Sequence, residues 1–187
     1  MKKYIDVNKV IDKLSAAQIT AIGDIFDGGD GVERDRKRAI DYFFKGAVLG
    51  DAYAQAMIAD AYAVGDIMQK SEADALMWYK KSAEQYNPYA QYQYGKRISD
   101  DDGGLLWLHL SAHQGFPLAM KELSDRLYRY DPKLSQKWLK KYYSKRNKCK
   151  LKNFCGKTYL KELRHEHLPK VFCGEIVVPM CRAFEDN

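Results

Sequence analysis

The sequence predicts an all-α protein: an α/α solenoid of about four helix-turn-helix repeats with a cysteine-containing C-terminal extension. The first observation is a 36-residue period, since residues 16–51 align without a gap on residues 52–87. A fixed period of this length is typical of solenoids, in which helix pairs stack because none buries its apolar face alone. The second observation is that aromatic and small residues alternate at helical spacing. The third is that proline and glycine stand where these helices begin and end.

The first helix of each unit carries small residues where neighbouring helices approach closely. Unit two has Ala54 and Ala59, and unit one has Gly23 at the register of Ala59. Pro88 and Pro117 begin units three and four, because a proline in the first helical turn leaves no hydrogen bond unmade. Together these positions predict tightly packed first helices.

The second helix of each unit carries an aromatic residue at a fixed place, with a small residue four or five positions later on the same face. Large and small residues alternating at helical period indicate core packing, so we expect these aromatic positions to be buried. Gly50 and Gly115 follow as helix ends. The aromatic pairs are Tyr42-Phe43, Trp78-Tyr79, Trp107-Leu108 and Trp138-Leu139.

The later units depart from the period. Pro88 and Pro117 are only 29 residues apart, which we attribute to a short inter-helix turn at residues 99–104. Asp100–Gly103 is expected to form a tight turn that also caps the next helix, since the ligand pattern of a calcium loop is missing. The predicted organisation is a capping helix at residues 1–15, the solenoid at 16–147, and a cysteine-containing basic tail at 148–187 packed on the last repeat.

In these residues the chain resembles the Sel-one-like repeat family, relatives of the tetratricopeptide repeats with a longer, glycine-bearing turn. The resemblance covers about 130 of 187 residues, and its motifs are IGDIFDGGDGVERDRKRAIDYFFKGAVLG in unit one and AYAQAMIADAYAVG with ADALMWYKKSAEQ in unit two. It implies right-handed stacking of antiparallel helix pairs, with the first helices lining a concave surface and protein–protein interaction as the usual role. Small exported members resemble immunity proteins that neutralise antibacterial effectors, including lipases delivered by type VI secretion.

Charge and cysteine are concentrated near the C-terminus. Residues 133–170 hold 13 Lys and Arg against two acidic residues, a net charge of +11. The four cysteines lack the paired spacing of zinc sites, and we expect them to form two disulfides with the pairing left open. Oxidised cysteines predict a periplasmic or otherwise exported protein whose signal peptide precedes this sequence; the alternative is a cytoplasmic protein with reduced thiols. These cysteines are Cys149, Cys155, Cys173 and Cys181.

The sequence contains no motif that predicts catalysis. GxSxG and phosphate-binding loops are absent, and no cysteine or histidine stands in a nucleophile motif. His109 and His113 have the i, i+4 spacing of metal ligands, yet no third ligand is evident nearby. We therefore expect a non-enzymatic protein without metal or cofactor.

The predicted function is binding of another protein, in its sharpest form a cognate effector toxin, through exposed side chains of the first helices. A tyrosine suits such a surface because it buries a large area at small entropic cost. Besides Thr20 and Asp24 in unit one, the predicted groove residues are Tyr53, Met57, Asp60, Tyr89, Gln93 and Lys96.

Two other functions stay open from the sequence. The basic segment Lys133–Lys170, with tyrosines interleaved, suits an anionic membrane or a nucleic acid. A solenoid without a catalytic domain also suits a regulatory scaffold in a signalling or envelope complex. Steep weakening of binding by salt would favour the polyanion, whereas a protein complex in the groove would be less sensitive.

Overall fold

The computed structural model describes residues 11–100 and 103–148, which form eight α-helices after a short 3₁₀ turn at Ile11–Lys13. Each helix packs against the helices before and after it in the chain. This arrangement confirms the predicted all-α solenoid of helix pairs. The helices are α1 (Ala16–Gly28), α2 (Arg36–Val48), α3 (Ala52–Val64), α4 (Glu72–Glu84), α5 (Pro88–Arg97), α6 (Gly104–His113), α7 (Pro117–Leu127) and α8 (Pro132–Lys148).

Capping residues explain where the first helices begin. Ser15, Asp51 and Asn87 are the N-cap residues of α1, α3 and α5, and they stand 36 residues apart. Each side-chain oxygen accepts a hydrogen bond from a backbone N–H of the first turn, at 2.8 Å for Asp51 and Ala54. Such caps satisfy N–H groups that have no partner inside the helix. The period in the sequence is therefore also a period of helix starts.

The aromatic positions of the second helices form the core, as predicted. Phe43, Tyr79, Leu108 and Trp138 are all at most 3% exposed. Of the other members of the four pairs, Trp78 is buried too, and Tyr42, Trp107 and Leu139 are half-buried. Gly50 and Gly115 have positive φ angles of 96° and 93° just beyond α2 and α6, which confirms their predicted place at helix ends.

The shortening of unit three has a different origin from the one predicted. The turn at residues 98–103 is only one residue shorter than the turn at 29–35. Instead, α5 and α6 each have 10 residues, where the corresponding helices of units one and two have 13. The two helices meet early because Gly95 lets the start of α6 approach: a Cβ there would lie 2.8 Å from the carbonyl oxygen of Gly104.

The turn before α6 is present, but Asp100 is not the N-cap residue of α6, and Asp101 and Asp102 lie outside the described residues. The Gly103 N–H donates to the carbonyl oxygen of Asp100 at 3.0 Å. The N-cap residue of α6 is Gly103, which has no side chain to cap the helix. Asp100 instead accepts a hydrogen bond from Arg126 of α7, which joins units three and four.

Most of the predicted terminal segments lie outside the described residues. Of the capping helix expected at 1–15, the structure describes the 3₁₀ turn and the two residues that follow it. The basic tail is described only as far as the end of α8, so all four cysteines lie outside the described residues. Within the described part, no helix is long and apolar enough to cross a membrane.

Candidate partner-binding pocket

Buried carboxylates of the first helices bind tyrosines of the following unit. Tyr53 of α3 donates to Asp24 of α1 at 2.9 Å, and Tyr89 of α5 donates to Asp60 of α3 at 2.7 Å. Both pairs are 29 residues apart, and each pair bridges two successive units. Asp60 also accepts a hydrogen bond of 2.5 Å from Tyr79 of α4. These bonds fix the first helices against one another at the positions where the sequence predicted a free surface.

Burial keeps these tyrosines protonated. Desolvation, followed by the negative charge of Asp60, raises the pKa of both Tyr79 and Tyr89 far above its usual range. Each phenol therefore remains a hydrogen-bond donor at any physiological pH. The carboxylate between them gains two donors that compensate for its loss of water.

The prediction that the groove residues are exposed is wrong for six of them. These side chains are at most 9% exposed, because they face the helices that are next to their own helix in the chain. In α3 the nine consecutive residues Tyr53–Ala61 are all buried. Of the other predicted residues, Gln93 is half-buried and Lys96 is exposed. The six buried residues are Thr20, Asp24, Tyr53, Met57, Asp60 and Tyr89.

A second set of polar contacts between units was missed at the sequence level. The Gln55 side chain donates to the carbonyl oxygen of Ala47 at 3.2 Å, and Gln91 repeats this contact with Ala83 at the same distance. Both glutamines stand four residues after an N-cap residue and 36 residues apart. Their recurrence at the repeat period was the available signal, because a polar residue repeated in an otherwise apolar helix needs a fixed partner.

A cavity of about 270 Å³ opens beside the first three units. It is lined by side chains of α1 to α5, and four of the eight predicted groove residues, Met57, Asp60, Tyr89 and Gln93, lie on its wall. Tyr53 and Lys96 are not part of the lining. Half of the remaining lining residues are apolar: Ile40, Phe43, Ala61, Ala63 and Val64.

Two arginines stand at the pocket, each held by carboxylates. Arg36 forms an ion pair with Asp66 and lies 3.7 Å from Asp27, and all three residues line the cavity. Arg97 pairs with Glu72 at 3.0 Å and lies over the ring of Tyr79 at 4.8 Å. The pocket thus combines an apolar wall with charged groups whose positions are fixed before a ligand arrives.

The histidine pair lies elsewhere, between α6 and α8. The rings of His109 and His113 are stacked with centroids 6.2 Å apart, and both meet the face or edge of Trp138. In the described part of the chain, no three potential metal ligands come together. The pair contributes aromatic packing against Trp138, and the absence of a metal or cofactor stays a prediction.

The position of His109 predicts a pH effect on stability. Burial, and then the neighbouring His113, lowers the pKa of His109 from its ordinary value of 6.5. The unfolded chain therefore binds a proton at His109 more readily than the folded chain does. The contribution of the neutral imidazole to the free energy of unfolding is complete above about pH 6.5, and it is lost as the pH falls through the lowered pKa. Urea unfolding at several pH values is expected to show a shallower decrease for His109→Gln than for the wild type. An equal or steeper decrease in the variant would contradict this assignment.

Compared by sequence with known proteins, the chain matches no family profile and no curated protein. Its structure is similar to solved helical-repeat proteins, each match covering 70% of this chain. The Sel1 repeat protein from Oxalobacter formigenes has a TM-score of 0.64 and 25% identity, with 57% of that protein covered. The protective antigen c5321 of uropathogenic Escherichia coli, which displays an SLR fold, has the same TM-score and identity, with 30% covered.

The immunity protein Pa5087 from Pseudomonas aeruginosa is also similar, with a TM-score of 0.54, 22% identity and 53% of that protein covered. The match therefore spans little more than half of these proteins at most. Two of the three carry the Sel1-repeat or SLR description, as the repeat motifs of units one and two led us to expect. The described part of this chain is a helical-repeat solenoid with the fold of these Sel1 repeat proteins.

Proposed function

We infer that this protein is a protein-binding module whose pocket beside units one to three receives a side chain of the partner. The observation that carries this inference is a preformed cavity of about 270 Å³ with an apolar wall and fixed charged groups. Rigid concave sites of mixed character are where binding side chains are usually anchored. The repeat fold supports the same role, since stacked repeats present extended binding surfaces.

The lining indicates what such a side chain looks like. The apolar wall, which includes Ile40, Met57 and Val64, suits an aliphatic or aromatic body. The guanidinium of Arg36 and the carboxylate of Asp66 are partly exposed, so they suit a polar tip or the partner's backbone. Because both charged groups are already paired, the partner meets a site that needs little reorganisation.

The finer form of the proposal is that the partner is a bacterial effector toxin and that binding neutralises it. A protein described as an immunity protein has this fold, which supports the idea by analogy. Export from the cytoplasm and two disulfides in the tail belong to the same proposal, because an exported toxin would be met outside the cytoplasm. The lack of enzymatic activity is part of it as well.

Co-expression tests the finer form directly. Each protein encoded beside this chain's own gene is expressed in a bacterial host with and without it. We expect one of them to arrest growth alone and to be harmless, and to copurify, when this chain is present. If a neighbouring product is toxic and this chain neither rescues growth nor binds it, the immunity role is wrong for that toxin.

A matched pair of substitutions tests the pocket once a partner is in hand. Val64 and Val48 both end 13-residue helices and are 67% and 63% exposed, but only Val64 lines the pocket. Val64→Trp is expected to fill the cavity and weaken binding at least tenfold, about 1.4 kcal/mol, as measured by calorimetric titration. Val48→Trp is expected to leave the affinity unchanged. Equal affinities for the two variants would show that the partner binds elsewhere.

A further inference from the structure

The last helix in the described part of the chain carries a stripe of lysines on one side, which we name the α8 lysine stripe. Its members are exposed, and α8 contains no acidic residue. At 3.6 residues per turn they fall within about 140° of the helix circumference. The buried Ser135 faces the rest of the solenoid, and the buried Trp138 borders the stripe, where the Nζ of Lys141 lies 4.3 Å from the centroid of its ring. The stripe consists of Lys133, Lys137, Lys140, Lys141 and Lys145.

Nearby carboxylates do not neutralise the stripe. Glu122 and Asp125 of α7 are bound by Arg126 and Lys121 of the same helix. Asp131 accepts the backbone N–H of Leu134 at 2.9 Å and so caps α8. Among residues 11–100 and 103–148, no ion pair involves a lysine of the stripe. Lys141 lies over the ring of Trp138, and the charges of the other four lysines are left for an external partner.

The shape of the stripe suits a flat surface. From Lys133 to Lys145 it extends about 18 Å along the helix, at a rise of about 1.5 Å per residue. The apolar side of α8 packs against α7, so the helix has no free apolar face to insert into hydrocarbon. Contact would take place at the level of lipid headgroups, by charge alone.

We propose that the α8 lysine stripe binds the surface of an anionic lipid membrane. Lysine is a strongly hydrated point charge, which suits adsorption to a plane of headgroups, whereas arginine is preferred for paired contacts with phosphates. The stripe contains no aromatic side chain on which nucleic-acid bases could stack, and Tyr143 beside it packs on Tyr142 at 5.3 Å. Protein interfaces are depleted in lysine. This proposal is independent of the pocket.

The test uses the full chain and sedimentation with phosphatidylcholine vesicles that do or do not contain phosphatidylglycerol. We expect binding only with phosphatidylglycerol and a decrease with salt. Replacing four lysines of the stripe with glutamine is expected to weaken binding at least about 100-fold, since each lysine near an anionic surface contributes a factor of about five. Glutamine keeps the helix propensity, so α8 is retained. The substituted residues are Lys133, Lys137, Lys140 and Lys145.

A control variant carries the same change of charge away from α8. It replaces four exposed lysines of the early part of the chain and is expected to bind vesicles nearly as well as the wild type. The proposal is overturned if the two variants bind equally, if the wild type ignores phosphatidylglycerol, or if it binds an oligonucleotide and not vesicles. Circular dichroism of both variants verifies that the helices are intact. The control lysines are Lys13, Lys37, Lys45 and Lys70.

Discussion

Replacing Gly95 with alanine is expected to lower the free energy of unfolding by about 3 kcal/mol, the upper end of the usual cost of overpacking. In an isolated helix the same change would be favourable by about 1 kcal/mol. Here the new Cβ would lie 2.8 Å from the carbonyl oxygen of Gly104 and 2.9 Å from the Cβ of Trp107. Because one of these contacts is with backbone, α5 and α6 must move apart, and the apolar contacts of both helices loosen together.

Gly28→Ala is the matched control. Gly28 is the last residue of α1 and is exposed, and the atoms nearest to a Cβ there would be those of the Asp30 side chain, the closest at 3.0 Å. That side chain is free to move into solvent, so we expect a change within about 0.5 kcal/mol. Urea unfolding followed by circular dichroism measures both variants. A neutral or stabilising Gly95→Ala would mean that α5 and α6 are further apart than the structure shows.

Asp60→Ala is expected to have the second large effect, a loss of about 4 kcal/mol. The substitution leaves the hydroxyl groups of Tyr79 and Tyr89 buried without their acceptor, at a cost of about 1–3 kcal/mol for each. Both tyrosines are at most 6% exposed. Asp60→Asn keeps an acceptor oxygen, and we expect less than half of that loss.

The comparison with Asp66→Ala separates this buried network from an ordinary ion pair. Asp66 binds Arg36 at the exposed edge of the same pocket, where such a pair contributes about 0–1 kcal/mol. If thermal unfolding shows similar losses for Asp60→Ala and Asp66→Ala, the phenol–carboxylate network does not stabilise the fold as argued. The size of the expected loss also explains why substitution of Val64, and not of Asp60, is the right probe of binding.

The helix pairs were predictable because their signals are local. Caps such as Asp51 and Asn87, and the large side chains of the second helices, recur in the sequence at the spacing at which they act. The shared length of α1 and α3 follows from this regularity. The irregular unit three was harder, because the meeting of α5 and α6 at Gly95 depends on a contact between helices that no local pattern announces.

The groove residues were misjudged for a physical reason. A helix with one free face shows an apolar stripe, and the sequence then indicates which residues are exposed. Helix α3 is covered on nearly every side, so Tyr53 and Asp60 are polar and nevertheless buried. Only the pairing of Asp24 with Tyr53, repeated 36 residues later, distinguishes an internal bond from a binding surface. The pocket is lined by side chains of five helices, and no pattern in the sequence predicts that they enclose a cavity.

The seven-residue turns at 29–35 and 65–71 allow the residues at the edge of the pocket to change independently of the core. The side chains that bind one unit to the next, such as Asp60, belong to the helices. At the edge of the pocket, by contrast, Arg36 follows the first turn directly and Asp66 lies within the second. A lineage could thus alter the edge charges, and with them the partner, without exchanging any buried contact. Stability and specificity can evolve separately in such a chain, which suits a protein whose partner itself changes.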